Sequence, residues 1–382
     1  MSIMTENPSG ASSAGTGSVP ARRAALEPTY EGDFVLDQGL MLESGRRLVR
    51  PTLHYALYGR LNAARDNAVL VCHALSGSAL VGSWWPEIFA PGALLSLDHD
   101  FVVCVNLLGS CYGSTGPGSV DPETGLVYGP DFPLVSIRDN VRAQAQLLDS
   151  LRIRRLRIVL GGSIGGMQAL EWAIHDPERV ERAAIIGAAP LSAMGLALNH
   201  LQRQAIQNDP DWDGGYYLAH RPPRLGLSLA RQIGMISYKS PELFEERFSR
   251  NPNRNGENPW DHDDQGGGLV GGRFDIAGYL DYQGDRFNDR FDANSYLAIM
   301  RTMDTWDPRN GLASPEESFG RIRARLTLVG ISSDWLFPPV SVREFAETIR
   351  SAGVDVEYRE MASTHGHDAF LAEQAELLRL LL

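Results

Sequence analysis

The chain has 382 residues, 43% of them hydrophobic, enough to bury a large core as one big domain or two modest ones. A formal charge of −12 excludes a general binder of nucleic acid or anionic membrane. Lys239 is the only lysine, so an anion site must otherwise be built from arginine or backbone N–H groups.

The first 26 residues are rich in Ser, Gly and Ala and lack an apolar signal core, which reads as a flexible tail. From about residue 33 the segments FVLDQGLML and RPTLHYALYG suggest strands and turns. Two short apolar runs follow, NAVLVCHAL (67–75) and DFVVCVNLLG (100–109), each ending in a glycine-containing loop. Apolar residues every three or four places predict a helix over 137–151. RIVLGGS then reads as a strand, Met167 to His175 as a helix, and RAAIIGAA (182–189) as another buried strand.

Continuous apolar runs alternating with helices predict a parallel sheet covered on both faces. The same alternation returns in LTLVGIS (326–332, strand), VREFAETIRSAG (342–353, helix), VDVEYREM (354–361, strand) and 369–382 (helix). Residues 190–315 are more helical and are broken by a polar, glycine-rich stretch at 251–272, expected to be mobile. The resulting division is a core of 27–189 and 316–382, with 190–315 inserted as a helical lid.

Cys72, Cys104 and Cys111 have no CxxC spacing, and the first two sit in apolar runs. They suggest neither a disulfide framework nor a zinc site, and a reducing cytoplasm fits. No apolar stretch reaches the roughly 18 residues of a membrane span.

LGGSIGGMQALE (160–171) contains G-x-S-x-G between a strand and a helix. In that context the pattern marks a nucleophile turn, with Ser163 exposed and neighbouring glycines allowing close approach of strand and helix. A plain glycine-rich turn is the alternative. A serine hydroxyl also needs a base and a group that orients the base. THGHDAF follows the last strand and SSDWLFPP the strand before it, so His367 and Asp334 fall in the order Ser…Asp…His. The pair His365 and His367 can also be read as metal ligands, but further ligands at suitable spacing are lacking and no metal is expected. CHALSGSA (72–79) lies where a second oxyanion donor is needed, and Leu75 is the candidate; His73 reads as a structural histidine at a strand end.

With CHALSGSA, NLLGSCYGSTGP, GGSIGGMQALEWA, LSLAR (227–231), FDANSYL (291–297), SDWLFPP and GHDAFL, the sequence resembles the homoserine O-acyltransferases of the MetX type. The resemblance spans residues 72 to 371. It implies an α/β-hydrolase fold with a mostly parallel sheet, helices on both faces and a helical lid. It also implies transfer of acetyl from acetyl-CoA, or succinyl from succinyl-CoA, to homoserine or sometimes serine, as a step of methionine biosynthesis.

On that resemblance Ser163 is the nucleophile, His367 the general base and Asp334 its partner. The backbone N–H groups of Leu75 and Ile164 form the oxyanion hole. Asp368 matches the position that binds the amino-acid acceptor, and Arg231 suits its carboxylate or an anionic part of the donor. Relatives are often homodimers joined through lid helices, with no nucleic-acid or membrane partner. One departure is the loop SGSAL, where Ser78 and Leu80 replace the acidic residue and histidine of many acetyltransferases. A hydrolase with water as acceptor is the alternative in another class, because the same triad serves both.

Overall fold

The computed structural model describes residues 25–217, 219–260 and 272–381. Most of the expected N-terminal tail, and residues 261–271 of the polar stretch, lie outside the described residues.

An eight-stranded sheet runs in the order β1-β4-β6-β5-β7-β8-β9-β10. Its strands are β1 (Tyr30–Val35), β4 (Thr52–Gly59), β5 (Ala68–Cys72), β6 (Phe101–Val105), β7 (Leu156–Gly162), β8 (Arg182–Ile186), β9 (Arg325–Ile331) and β10 (Val356–Met361). A separate hairpin joins β2 (Leu40–Met41) to β3 (Arg47–Leu48). β1 and β4 are antiparallel to their neighbours; from β6 to β10 every pairing is parallel. The expected mostly parallel sheet is therefore present, and its two antiparallel pairings lie at one edge.

Burial on both faces explains the unbroken apolar runs. In β5 the side chain of Leu70 joins one core, and Val69 and Val71 join the other, as the two-residue period of a strand requires. On the Leu70 face lie α2 (Ile137–Ser150), α3 (Ile164–His175) and α10 (Pro339–Ser351). Opposite them pack α1 (Val81–Trp84), the turn after it, α11 (Ala369–Ala372) and α12 (Gln374–Leu381).

Local signals set several helix starts. Ser136 and Asp139 form a reciprocal capping box on α2, which satisfies two N–H groups that a helix start leaves open. Two boundaries differ from the periodicity. α3 begins at Ile164 rather than Met167, because Ser163 itself occupies the N-cap position. α10 begins at Pro339, whose missing N–H costs nothing in a first turn.

Between β8 and β9 the chain leaves the sheet. It forms α4 (Ala193–Gln207), α5 (Arg224–Tyr238), α6 (Pro241–Arg247), α7 (Asp275–Asn288), α8 (Ala293–Asp304) and α9 (Pro315–Phe319). Among the described residues this segment adds no strand to the sheet. No helix there or elsewhere in the described chain is long and apolar enough to cross a membrane.

Candidate active site

β5 lies between β6 and β7, so chain order reverses there and the strand ends leave a crevice. The turns after β5, β7, β9 and β10 open at that end. They carry, respectively, residues 73–79, Ser163, Asp334 and His367.

Ser163 adopts φ 59°, ψ −128°, a backbone conformation that costs a residue with a Cβ roughly 1–3 kcal/mol. The surroundings hold it there. Its N–H donates to the Ile186 carbonyl at 2.9 Å, and its own carbonyl accepts from Gly166 at 2.8 Å and Met167 at 3.1 Å. Close approach of strand and helix explains the flanking glycines. A Cβ on Gly161 would lie 2.6 Å from the Cys72 carbonyl oxygen, and one on Gly165 only 2.2 Å from it.

His367 is 3% exposed, and its Nδ1 lies 2.7 Å from Asp334 Oδ2. The other oxygen of Asp334 accepts the N–H groups of Leu336 and Phe337, each at 2.9 Å. Phe337, Phe370 and Tyr238 pack around the imidazole at ring distances of 5.2, 5.6 and 6.1 Å. Nε2 is buried and has no hydrogen-bond partner among the described residues. Burial disfavours the imidazolium, but the charge and hydrogen bond of Asp334 outweigh it, and proton affinity ends above the ordinary histidine value.

Ser163 and His367 line one cavity of about 680 Å³, together with Leu75, Arg231 and Asp368. Each predicted side chain except that of Asp334, which stands behind His367, reaches its wall. The Leu75 amide donates to no acceptor among the described residues. Ile164 opens α3, where N–H groups lack intrahelical acceptors. Leu75 lies three residues beyond the end of β5, and Ile164 two residues beyond the end of β7.

His73 is fully buried, its Nδ1 2.8 Å from the Ala74 carbonyl and its Nε2 accepting from the Leu107 amide at 3.2 Å. Burial pushes its pKa down to about 4, so it is a neutral brace. His365 does not line the cavity; its Nδ1 is 3.2 Å from Glu373.

Sequence reasoning missed several residues. Asp368 Oδ2 lies 2.9 Å from Lys239 Nζ, so the carboxylate already has one cationic neighbour. The guanidinium of Arg231 stands over Phe287 and Tyr238, 4.8 and 5.6 Å from the ring centroids, with no carboxylate within 4.0 Å among the described residues. Tyr238 follows LSLAR by two helical turns, a spacing that could have flagged it.

A profile of the alpha/beta hydrolase fold matches residues 67–374. A homoserine O-acetyltransferase of Symbiobacterium thermophilum is 49% identical over 346 residues, 87% of this chain and 88% of the relative. A homoserine O-succinyltransferase of Acidithiobacillus ferrooxidans is 43% identical over 87% of this chain and 88% of the relative. The crystal structure of a homoserine O-acetyltransferase from Bacillus anthracis superposes with a TM-score of 0.84 at 26% identity, covering 93% of this chain and 96% of that one. With its strained Ser163 turn, buried Asp–His pair and similarity over most of its length, the chain belongs to the homoserine O-acetyltransferase family of the α/β-hydrolase fold.

Proposed function

We propose that this enzyme transfers an acetyl group from acetyl-CoA to the side-chain hydroxyl of L-homoserine, through a covalent acetyl-Ser163. The observation that carries the reading is the buried Asp334–His367 pair, whose free Nε2 shares a cavity with Ser163 and an uncompensated Arg231.

In the first half-reaction His367 Nε2 accepts the Ser163 proton as Oγ attacks the thioester carbonyl. The amides of Leu75 and Ile164 stabilise the oxyanion. Collapse breaks the C–S bond, and the thiolate leaves as a thiol with the proton from His367. In the second, His367 removes the proton of the homoserine hydroxyl, whose oxygen attacks the acetyl-serine. The Ser163 oxygen then leaves and regains its proton from the imidazolium. Asp334 keeps Nδ1 protonated and oriented throughout.

Homoserine is a zwitterion, and the cavity offers a matching pair. Arg231 takes the carboxylate, and Asp368 takes the ammonium while its Oδ2 also faces Lys239. The helices between β8 and β9 act as a lid that limits water, so that the amino acid rather than water resolves the acetyl-enzyme. Met194, Leu196 and Leu201 on α4, with Leu225, Leu229 and Ile236 on α5, are exposed apolar side chains that suit a homodimer interface. The setting is cytoplasmic methionine biosynthesis.

Purified protein given acetyl-CoA or succinyl-CoA with homoserine or serine tests this directly through thiol release and the acylated product. The expected best pair is acetyl-CoA with homoserine. A preference for succinyl-CoA or serine would reassign the substrates. No thiol release alongside brisk ester hydrolysis would replace transfer by hydrolysis.

A further inference from the structure

Apart from tyrosine, the titratable side chains on the cavity wall are Glu31, His54, Arg231, Arg290, His367 and Asp368. Glu31 lies 3.0 Å from His54, Asp368 is met by Lys239, and His367 by Asp334. Only the two arginines lack a carboxylate within 4.0 Å among the described residues. They share one buried ring: Arg231 stands 4.8 Å and Arg290 5.0 Å from the centroid of Phe287.

Their settings differ. Arg231 is partly buried on α5, whereas Arg290 is exposed, just beyond the end of α7. Arg290 Nη1 donates to the Ser76 carbonyl at 3.0 Å and to the Tyr112 hydroxyl at 2.7 Å. Both bonds use one nitrogen, so Nε and Nη2 have no protein acceptor among the described residues. Ser76 directly follows Leu75. The guanidinium therefore sits beside the oxyanion loop at an exposed part of the wall, with an unused donor edge.

A chain of net charge −12 repels an anion unless a local cation offsets that field. Arg231 is already matched to the acceptor, and its partial burial places it away from bulk solvent. We propose that Arg290 binds the phosphate-bearing portion of the acyl thioester donor at the cavity mouth. The inference rests on the acyl-CoA reading above. A planar fork suits a phosphate oxygen pair, and an exposed site suits the carrier, which stays partly in water while its acyl end reaches Ser163. Because the same guanidinium holds the Ser76 carbonyl, donor binding and the Leu75 loop share one anchor.

The test compares acetyl-CoA with S-acetyl-N-acetylcysteamine, an acetyl thioester without phosphates, in wild type, Arg290→Gln and Arg290→Lys. Glutamine removes the charge and is too short to hold the Nη1 position, so the ratio of the two donors, not the activity with either alone, isolates the phosphate contact. The expected result for Arg290→Gln is a roughly tenfold or greater fall in the ratio of the two kcat/KM values, carried by KM for acetyl-CoA, with partial rescue in Arg290→Lys. The salt dependence of kcat/KM for acetyl-CoA should weaken in parallel. An equal loss with both donors would make Arg290 a brace of the Ser76 loop alone and overturn the proposal. So would no loss with either. Wild type releasing thiol from neither donor would instead sink the acyl-transfer reading, and this proposal with it.

Discussion

Asp334 Oδ2 lies 2.7 Å from His367 Nδ1 while Asp334 Oδ1 accepts two backbone N–H groups, so the carboxylate is pinned on one side and orients the imidazole with the other. Asp334→Asn keeps the size but presents an amide that can favour the wrong tautomer. Acetyl transfer should fall by about 10³–10⁴-fold with little change in fold, measured by thiol release and circular dichroism. A variant retaining more than a tenth of wild-type activity would remove Asp334 from the mechanism.

The pH profile follows from the same pair. As the proposed general base His367 acts only when neutral, and Asp334 holds its proton affinity above the ordinary value despite burial. The acidic limb of kcat/KM should therefore lie above about pH 6.5 and move down in any residual activity of Asp334→Asn. The sign for stability is consistent: a raised folded-state pKa adds stability below the unfolded value, and that gain fades as pH rises through the folded pKa. A limb below pH 6 in the wild type would contradict the assignment.

Ser163 gives a case in which activity and stability should separate. Its φ of 59° is tolerated because neighbouring backbone bonds impose it. Ser163→Ala and Ser163→Gly should both lose covalent acetylation, seen by mass spectrometry of protein incubated with acetyl-CoA. Glycine at this φ relieves the Cβ strain that alanine keeps. Ser163→Gly should be more stable than Ser163→Ala by about 1 kcal/mol in denaturant unfolding. Equal stabilities would mean that the turn stores no such strain.

Gly165→Ala tests the packing behind the nucleophile. The added Cβ would stand 2.2 Å from the Cys72 carbonyl oxygen and 3.1 Å from that of His73. Helix α3 or the end of β5 must move, costing about 1–3 kcal/mol or more. Leu75 lies two residues beyond His73, so the proposed oxyanion loop should shift as well, and kcat should fall more than KM rises. A fully stable, fully active variant would show that this contact is loose in solution.

Arg231→Ala probes the proposed acceptor site. Its guanidinium packs against Phe287 and Tyr238 and has no carboxylate within 4.0 Å among the described residues. Homoserine KM should rise by roughly 10–100-fold, while the acetyl-enzyme forms at near wild-type rate in a stopped-flow burst. A slowed burst with unchanged homoserine KM would move Arg231 to the donor side.

Much of this was legible in the primary structure. G-x-S-x-G between strand and helix, followed by Asp334 and His367 after successive strands, is local and ordered information. Such signals depend on backbone propensity and on strands whose apolar runs declare burial on both faces, so they survive without coordinates. Helix starts were less legible: α3 opens at Ile164 because the strained residue serves as its own N-cap position, which periodicity does not register.

Charge pairing was the part that had to await packing. Lys239 meets Asp368, Glu31 meets His54, and Arg290 reaches Ser76 across 214 positions of chain. A contact of a few ångströms between distant segments leaves no period or motif, since it depends on how the helices between β8 and β9 settle over the strand ends. The proposed nucleophile, Ser163, and its proposed activators, Asp334 and His367, could be picked out from the sequence. Which cations stay free for substrate could not, because an arginine is free only when the folded chain brings it no carboxylate.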